Sequence, residues 1–270
     1  MTAALAAFRK GLTGAVPEPS VLAGRALGLA GPLTLEALVC DPSLGALTAS
    51  PTQKALVRAL DGQPVNDVLT PDQMRFHFAM ERLPSGRPRL AYLRTGVRAG
   101  KTLISVLALL LSVLTCKYRR PAKPELGEIA GADGMVGVRP GELVRAVIVG
   151  PKKGLGRSPL QHLIGTMQAS PMLRPLFARP PLTESCTIRR PDGHEVLIEL
   201  VAADAGGANL RSTWLAGAMF DEADFHDSED AAVNLSEELR AARPRMLAGA
   251  QILVPSSPWA EGSPFDKLFT

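Results

Sequence analysis

Thr95-Gly96-Val97-Arg98-Ala99-Gly100-Lys101-Thr102 decides how the 270-residue chain is read, because of what stands on either side of it. Ahead of it, Arg89 to Leu93 reads as a strand; behind it, Leu103 to Cys116 is an unbroken apolar run of 14 residues. A glycine-bearing turn between a strand and a buried helix lets backbone N–H groups at the helix N-terminus cradle phosphates, and glycine permits the close approach. In such a loop Gly96 and Gly100 shape the backbone, Lys101 reaches the terminal phosphates, and the Thr102 hydroxyl binds Mg²⁺. The stretch departs from the pattern G-x-x-x-x-G-K-[ST] at its first position, where Thr95 stands and Gly96 follows one place later. As a helix the apolar run reaches about 21 Å, short of the roughly 30 Å core of a bilayer, so it reads as a buried helix and not as a membrane span.

Outward from the loop, Val144 to Val149, Leu215 to Phe220 and Ile252 to Val254 are short apolar runs of the kind that form strands buried on both faces. They alternate with helical stretches at Ser158 to Gln168 and Ser228 to Arg243, which predicts an α/β fold with a mostly parallel central sheet flanked by helices. Cys186 to Val201 reads as a hairpin turning on Asp192-Gly193, and Lys117 to Glu142, rich in Pro, Gly and charge, as a surface loop. Residues 1–66 are expected to form a small helical N-terminal extension of two or three short helices, and residues 67–270 the domain that carries the chemistry.

At 46% hydrophobic residues the chain can build a core, which excludes wholesale disorder. Thirty Lys and Arg against 26 Asp and Glu give a net charge of +4, compatible with a polyanionic partner without requiring one. Cys40, Cys116 and Cys186 lie too far apart for a zinc knuckle or a disulfide framework, so a reducing compartment is expected. His77, His162, His194 and His226 lack metal-ligand spacing and read as structural, and Trp214 and Trp259 read as core anchors.

The second site signal is Leu215-Ala216-Gly217-Ala218-Met219-Phe220-Asp221-Glu222, a hydrophobic strand ending in two carboxylates. Ligands of open parallel sheets gather at the carboxyl ends of strands, so Asp221 is expected to face the phosphates and hold Mg²⁺ while Glu222 orients the attacking water. Asp224, Asp227 and Glu229 read as an acidic helix start. Lys152, Lys153 and Arg157, with Arg189 and Arg190 at the hairpin, are either solvated charge or contacts to a nucleic-acid backbone.

These stretches resemble the ATPase domain of the large terminase subunit, the motor that packages DNA into tailed-phage capsids. Leu69-Thr70-Pro71-Asp72-Gln73 is similar to its adenine-recognition segment, with Gln73 as the base-reading residue, and Gly96 to Thr102 to its short phosphate loop. Leu210-Arg211-Ser212-Thr213, running into Met219 to Ala223, resembles the stretch that enters the family's Walker B strand. Ile252 to Pro258, with Gly262 and Phe265, resembles its coupling motif, placing Ser256 and Ser257 in that role.

The resemblance implies an ASCE-type P-loop NTPase that hydrolyses ATP with Mg²⁺ to move double-stranded DNA into a procapsid. It further implies a portal protein and a small terminase subunit as partners, a homo-oligomeric ring on the capsid, a monomer when alone, and a place in the host cytoplasm. The family's loop arginine stands where this chain has Val97, with Arg98 one place later. Arg211, ten residues before Asp221, is then the candidate arginine finger acting on a neighbouring subunit, with Arg98 the candidate within its own site. The family continues into a nuclease domain for which no residues follow Thr270, so no nuclease activity is expected of this chain. Asp221-Glu222-Ala223-Asp224 also spells the tetrad of a DEAD-type superfamily-two helicase, whose first lobe is the alternative. A catalytically inactive, nucleotide-gated DNA-binding module is the reading of another class.

Overall fold

The computed structural model describes residues 18–78, 80–96, 99–151, 157–203, 210–226, 235–258, 263 and 265–269. Arg98, Lys152, Lys153, Trp259 and Gly262 fall outside the described residues. In chain order the elements are α1 (Pro19–Ala26), α2 (Leu35–Cys40), α3 (Pro51–Leu60), α4 (Pro71–Phe78), β1 (Leu90–Arg94), α5 (Lys101–Thr115), β2 (Arg119–Pro121) and β3 (Met135–Gly137). There follow β4 (Val144–Gly150), α6 (Arg157–Ala169), β5 (Ser185–Arg189), β6 (Glu195–Ala202), β7 (Trp214–Phe220), α7 (Leu235–Ala242) and β8 (Ile252–Ser256).

Six strands form one sheet in the order β1-β8-β7-β4-β6-β5, parallel except for the β5–β6 pair. All seven residues of β7 are buried, which is why its sequence shows no polar alternation. The last strand in sequence, β8, lies between β1, which feeds the phosphate loop, and β7, which ends in the carboxylates. That insertion brings three strand ends to one edge of a mostly parallel α/β sheet.

Helix α5 covers the sheet. Its leucines from Leu107 to Leu114 are almost fully buried, each contributing about 2 kcal/mol, so burial and not intrinsic propensity places this helix. It lies so close to β7 that a Cβ on Gly217 would stand 2.7 Å from Leu109 Cδ1. Ser112, a polar residue in the apolar run, ties the layers together: its hydroxyl donates to the Ala216 carbonyl (2.7 Å) and accepts from the Gln251 N–H (3.0 Å). On the other side of α5, Ala23, Leu27, Leu35, Leu38, Val57 and Leu60 belong to the same continuous core as the sheet. The helices of residues 18–60 are therefore packed into the domain that carries the loop.

Two local readings change. The segment from Lys117 to Glu142 contains the antiparallel ribbon β2–β3 in place of a plain surface loop. Its Arg120 is 1% exposed and donates to both Glu128 oxygens (2.6 Å each) and to Glu142 (2.8 Å), beneath the Trp214 ring. Eight and 22 residues separate these partners, so no local pattern announces the cluster. The β5–β6 hairpin turns through residues 190–194, with Arg189 paired to Glu195, and not through a two-residue loop. The wider loop exists because Arg190 turns inward: 2% exposed, it donates to the carbonyls of Val113 and Cys116 (2.7 Å for the latter) and pairs with Asp192 at 2.7 Å. Of the two arginines there, Arg190 closes the C-terminus of α5 while Arg189 pairs with Glu195 at the surface (3.1 Å). Of the helix expected from Ser228 to Arg243, residues 228–234 lie outside the described residues, and the described part is helical from Leu235 to Ala242.

Candidate nucleotide site at the strand ends

Helix α5 begins at Gly100, whose φ of +82° favours glycine, and no side chain caps its first turn. The N-terminal amides of a long helix are thus left without a side-chain acceptor, at the positive end of its dipole. At the same place Lys101, 8% exposed, donates to Glu222 Oε1 (2.7 Å) and to Ser257 Oγ (2.8 Å). Three segments far apart in sequence therefore meet on one ammonium: the start of α5, the end of β7 and the end of β8. Thr95 N–H donates to the Ser256 carbonyl (3.2 Å), tying the start of the loop to β8. Ser256 itself is buried and accepts from Asp224 N–H at 3.0 Å, while Ser257 N–H reaches Glu222 Oε2 at 3.4 Å.

Glu222 is one of two non-glycine residues with positive φ among those described (φ 50°, ψ 52°). Left-handed backbone costs a side-chain-bearing residue about 1 kcal/mol or more, and such strain is concentrated at functional sites. Here it turns the chain sharply after β7, so that neighbouring carboxylates serve different partners. Asp221 is 6% exposed, its N–H donates to the Val149 carbonyl (2.9 Å), and its Oδ1 is buried without a partner. Burial, reinforced by the adjacent Glu222 charge, pushes the Asp221 carboxyl up to about 6. A buried carboxylate oxygen with no donor is costly unless a cation meets it, so the donor set fits a divalent metal at Asp221. Among the described residues no group of three or more His, Cys, Asp and Glu gathers into a metal cluster.

The other predicted residues fall at different places. Thr102 lies on the first turn of α5, half-buried. Gln73 is exposed at the start of α4, where its side-chain carbonyl accepts from Thr70 N–H (2.9 Å). Arg211 is exposed just before β7, at the end of that strand remote from Asp221. Arg157 opens α6 and pairs with Glu184 at 3.5 Å, both side chains about half exposed. Arg98, Lys152 and Lys153 lie outside the described residues.

Two groups at the site had no functional reading in the sequence. His226 is fully buried and bridges the Glu238 carboxylate (2.8 Å) to the Asp221 carbonyl (3.0 Å), pinning the strand end from behind. Gln53, in the N-terminal helices, donates to the Ala99 carbonyl of the phosphate loop (2.9 Å).

No protein-family profile and no curated protein matches the chain. Among solved structures it is similar to the large terminase of a thermophilic bacteriophage, with 14% identity over 82% of this chain and 42% of that one (TM-score 0.49). It is also similar to the large terminase of bacteriophage HK97, with 17% identity over 77% of this chain and 36% of that one (TM-score 0.43). A third is the large terminase ATPase domain of Thermus phage P74-26, with 13% identity over 64% and 61% of the two chains (TM-score 0.36). The chain thus spans about two-fifths of the two full-length terminases. A second structure of the first terminase is a complex with ADP. Among the described residues no helix is long and apolar enough to cross a membrane.

Proposed function

We propose that the chain is a P-loop ATPase of the large-terminase type, whose cycle moves double-stranded DNA into a procapsid in the host cytoplasm. The observation that carries this reading is the meeting of Lys101 with Glu222 and Ser257 beside the unpartnered oxygen of Asp221. A lysine at an uncapped helix start, an acidic strand end and a second polar strand end are what phosphoryl transfer requires of the protein.

In this reading the amides at Gly100 and beyond donate to the phosphates of ATP, with Gly96 shaping the loop, and Lys101 leaves Glu222 to neutralise the transferred phosphoryl group. Thr102 and Asp221 hold Mg²⁺, which supplies charge neutralisation at the phosphate oxygens. Glu222, released from Lys101, accepts a hydrogen bond from the attacking water and orients it. Ser256 and Ser257, hydrogen-bonded to both the Asp224–Glu222 turn and Lys101, sense the exchange and pass it to β8. Gln73 as the base-reading residue, the portal and small-subunit partners and the ring rest on the resemblance alone, and DNA contacts by Lys152, Lys153 and Arg157 rest on their charge in the sequence. Steady-state ATP turnover with Mg²⁺ tests the core of the proposal: the wild-type chain should hydrolyse ATP and Lys101→Ala should lose at least about 10³-fold. A well-folded wild-type chain without turnover, or a Lys101→Ala variant with full turnover, would refute it.

Arg211 stands ten residues before Asp221, beyond the far end of the seven-residue strand β7 that alone spans roughly 20 Å, which suits a finger offered to a neighbouring subunit better than one for its own site. Arg211→Ala and Glu222→Gln proteins, each inactive under assembling conditions, should recover turnover when mixed. Assembly of the mixture without recovery would return the role to Arg98.

A further inference from the structure

The N-terminal helices carry no chemistry of their own, yet one of their side chains touches the phosphate loop. We infer that Gln53 is a positioning residue that sets the Ala99–Gly100 peptide before a phosphate arrives; the inference rests on the nucleotide reading of the loop.

Both polar ends of Gln53 are engaged. Its Oε1 accepts from Ser50 N–H (2.9 Å) and its N–H donates to Ser50 Oγ (3.3 Å), the reciprocal capping box that starts α3. That leaves Nε2, which donates to the Ala99 carbonyl, 46 residues away, at 2.9 Å. The platform behind it is rigid. Val57 and Leu60 are buried in the main core, the Leu60 carbonyl accepts from Gln251 Nε2 (2.8 Å), and Arg58 holds both Glu36 and Asp67 at 2.7 Å.

The consequence follows from peptide geometry. In a planar trans peptide the C=O and the next N–H point in opposite directions, so fixing the Ala99 carbonyl toward α3 fixes the Gly100 N–H away from it. Gly100 has no Cβ and by itself would allow that peptide to turn over, since glycine accepts either sign of φ. The fit is close: a Cβ on Gly100 would stand 3.0 Å from Gln53 Nε2. Gln53 thus removes a freedom that phosphate binding would otherwise have to freeze, which is preorganisation of the anion-binding amides. By contrast, Gln73 forms the same kind of box with Thr70 (2.9 and 3.3 Å) on an exposed turn.

The test separates the cap from the clamp. Gln53→Glu keeps an oxygen for Ser50 N–H, and capping boxes accept Glu as readily as Gln, but it has no donor for Ala99. Its thermal midpoint should stay within about 2 °C of wild type. Its KM for ATP should rise about tenfold or more with kcat within about twofold, the loss of one preorganised hydrogen bond. The neutral Gln53→Met should share the rise in KM, which shows that charge repulsion is not the cause. Without ligand, backbone amides of residues 99–104 should exchange about tenfold faster in both variants. Unchanged exchange and KM in Gln53→Glu, or a fall confined to kcat, would overturn the inference. If the wild-type chain binds no ATP, the nucleotide reading fails, and the exchange measurement still decides whether Gln53 holds the loop.

Discussion

The two ends of α5 are finished in opposite ways. At the C-terminus a buried guanidinium, Arg190, donates to the last carbonyls and is itself neutralised by Asp192. At the N-terminus no side chain caps the first turn, Gly100 is left-handed, and of the two carboxylates after β7 Glu222 holds Lys101 while Asp221 keeps one oxygen buried without a partner. Both ends are polar groups in a largely apolar setting, and the same rule applies to both: buried polar atoms need partners. At one end the protein's own atoms supply partners for the carbonyls of Val113 and Cys116 and for Arg190. The other stays incomplete, and its deficits match a triphosphate with its cation, anion-binding amides on one side and an unsatisfied carboxylate oxygen on the other. A charge that serves the fold is closed off; a charge that serves a ligand is left open.

Breaking the closed end should be the more damaging to stability. Arg190→Ala leaves the Val113 and Cys116 carbonyls and Asp192 without their donor, a loss of about 3 kcal/mol in urea unfolding. The affinity of the remaining folded protein for ATP should be unchanged. A loss below about 1 kcal/mol would mean that the closed end is not the structural one.

Relieving the open end should do the reverse. Because the Asp221 carboxyl is raised from 3.8 to about 6 in the fold, the folded state favours its neutral form. The penalty is absent below pH 4, grows as the pH rises through 6, and is complete above it. In metal-free buffer Asp221→Asn should therefore gain about 2 kcal/mol at pH 8 and almost nothing at pH 4, while losing Mg²⁺-dependent turnover. Equal stability at both values would show that Asp221 is not a strained, ligand-awaiting group.

Much of this was legible in the sequence. Gly100-Lys101-Thr102 between a strand and a 14-residue apolar run, and two carboxylates after Leu215 to Phe220, carry the fold and the heart of the site, because both signals are local. What was not legible depends on contacts across the chain. Ser50-Pro51-Thr52-Gln53 and Thr70-Pro71-Asp72-Gln73 are near-identical capping signals, and only the packing of α3 on α2, which itself lies against α5, decides that Gln53 reaches the loop. The buried roles of Arg190 and Arg120 were hidden for the same reason, since an arginine in a Pro/Gly-rich stretch reads as solvated unless its partners are known. Even the signature Asp192-Gly193 yielded to tertiary demand, widening the turn so that Arg190 could point inward.

The claim at the centre is that Lys101 and Glu222 hold each other only until a nucleotide separates them, after which Glu222 acts on water. Glu222→Gln measures this most directly, with ATP affinity and ATP turnover determined on the same protein. The account predicts that ATP still binds, as tightly as in wild type or more so now that Lys101 has lost its charged partner, while turnover falls by at least about 10²-fold. Turnover at the wild-type rate in Glu222→Gln would contradict it.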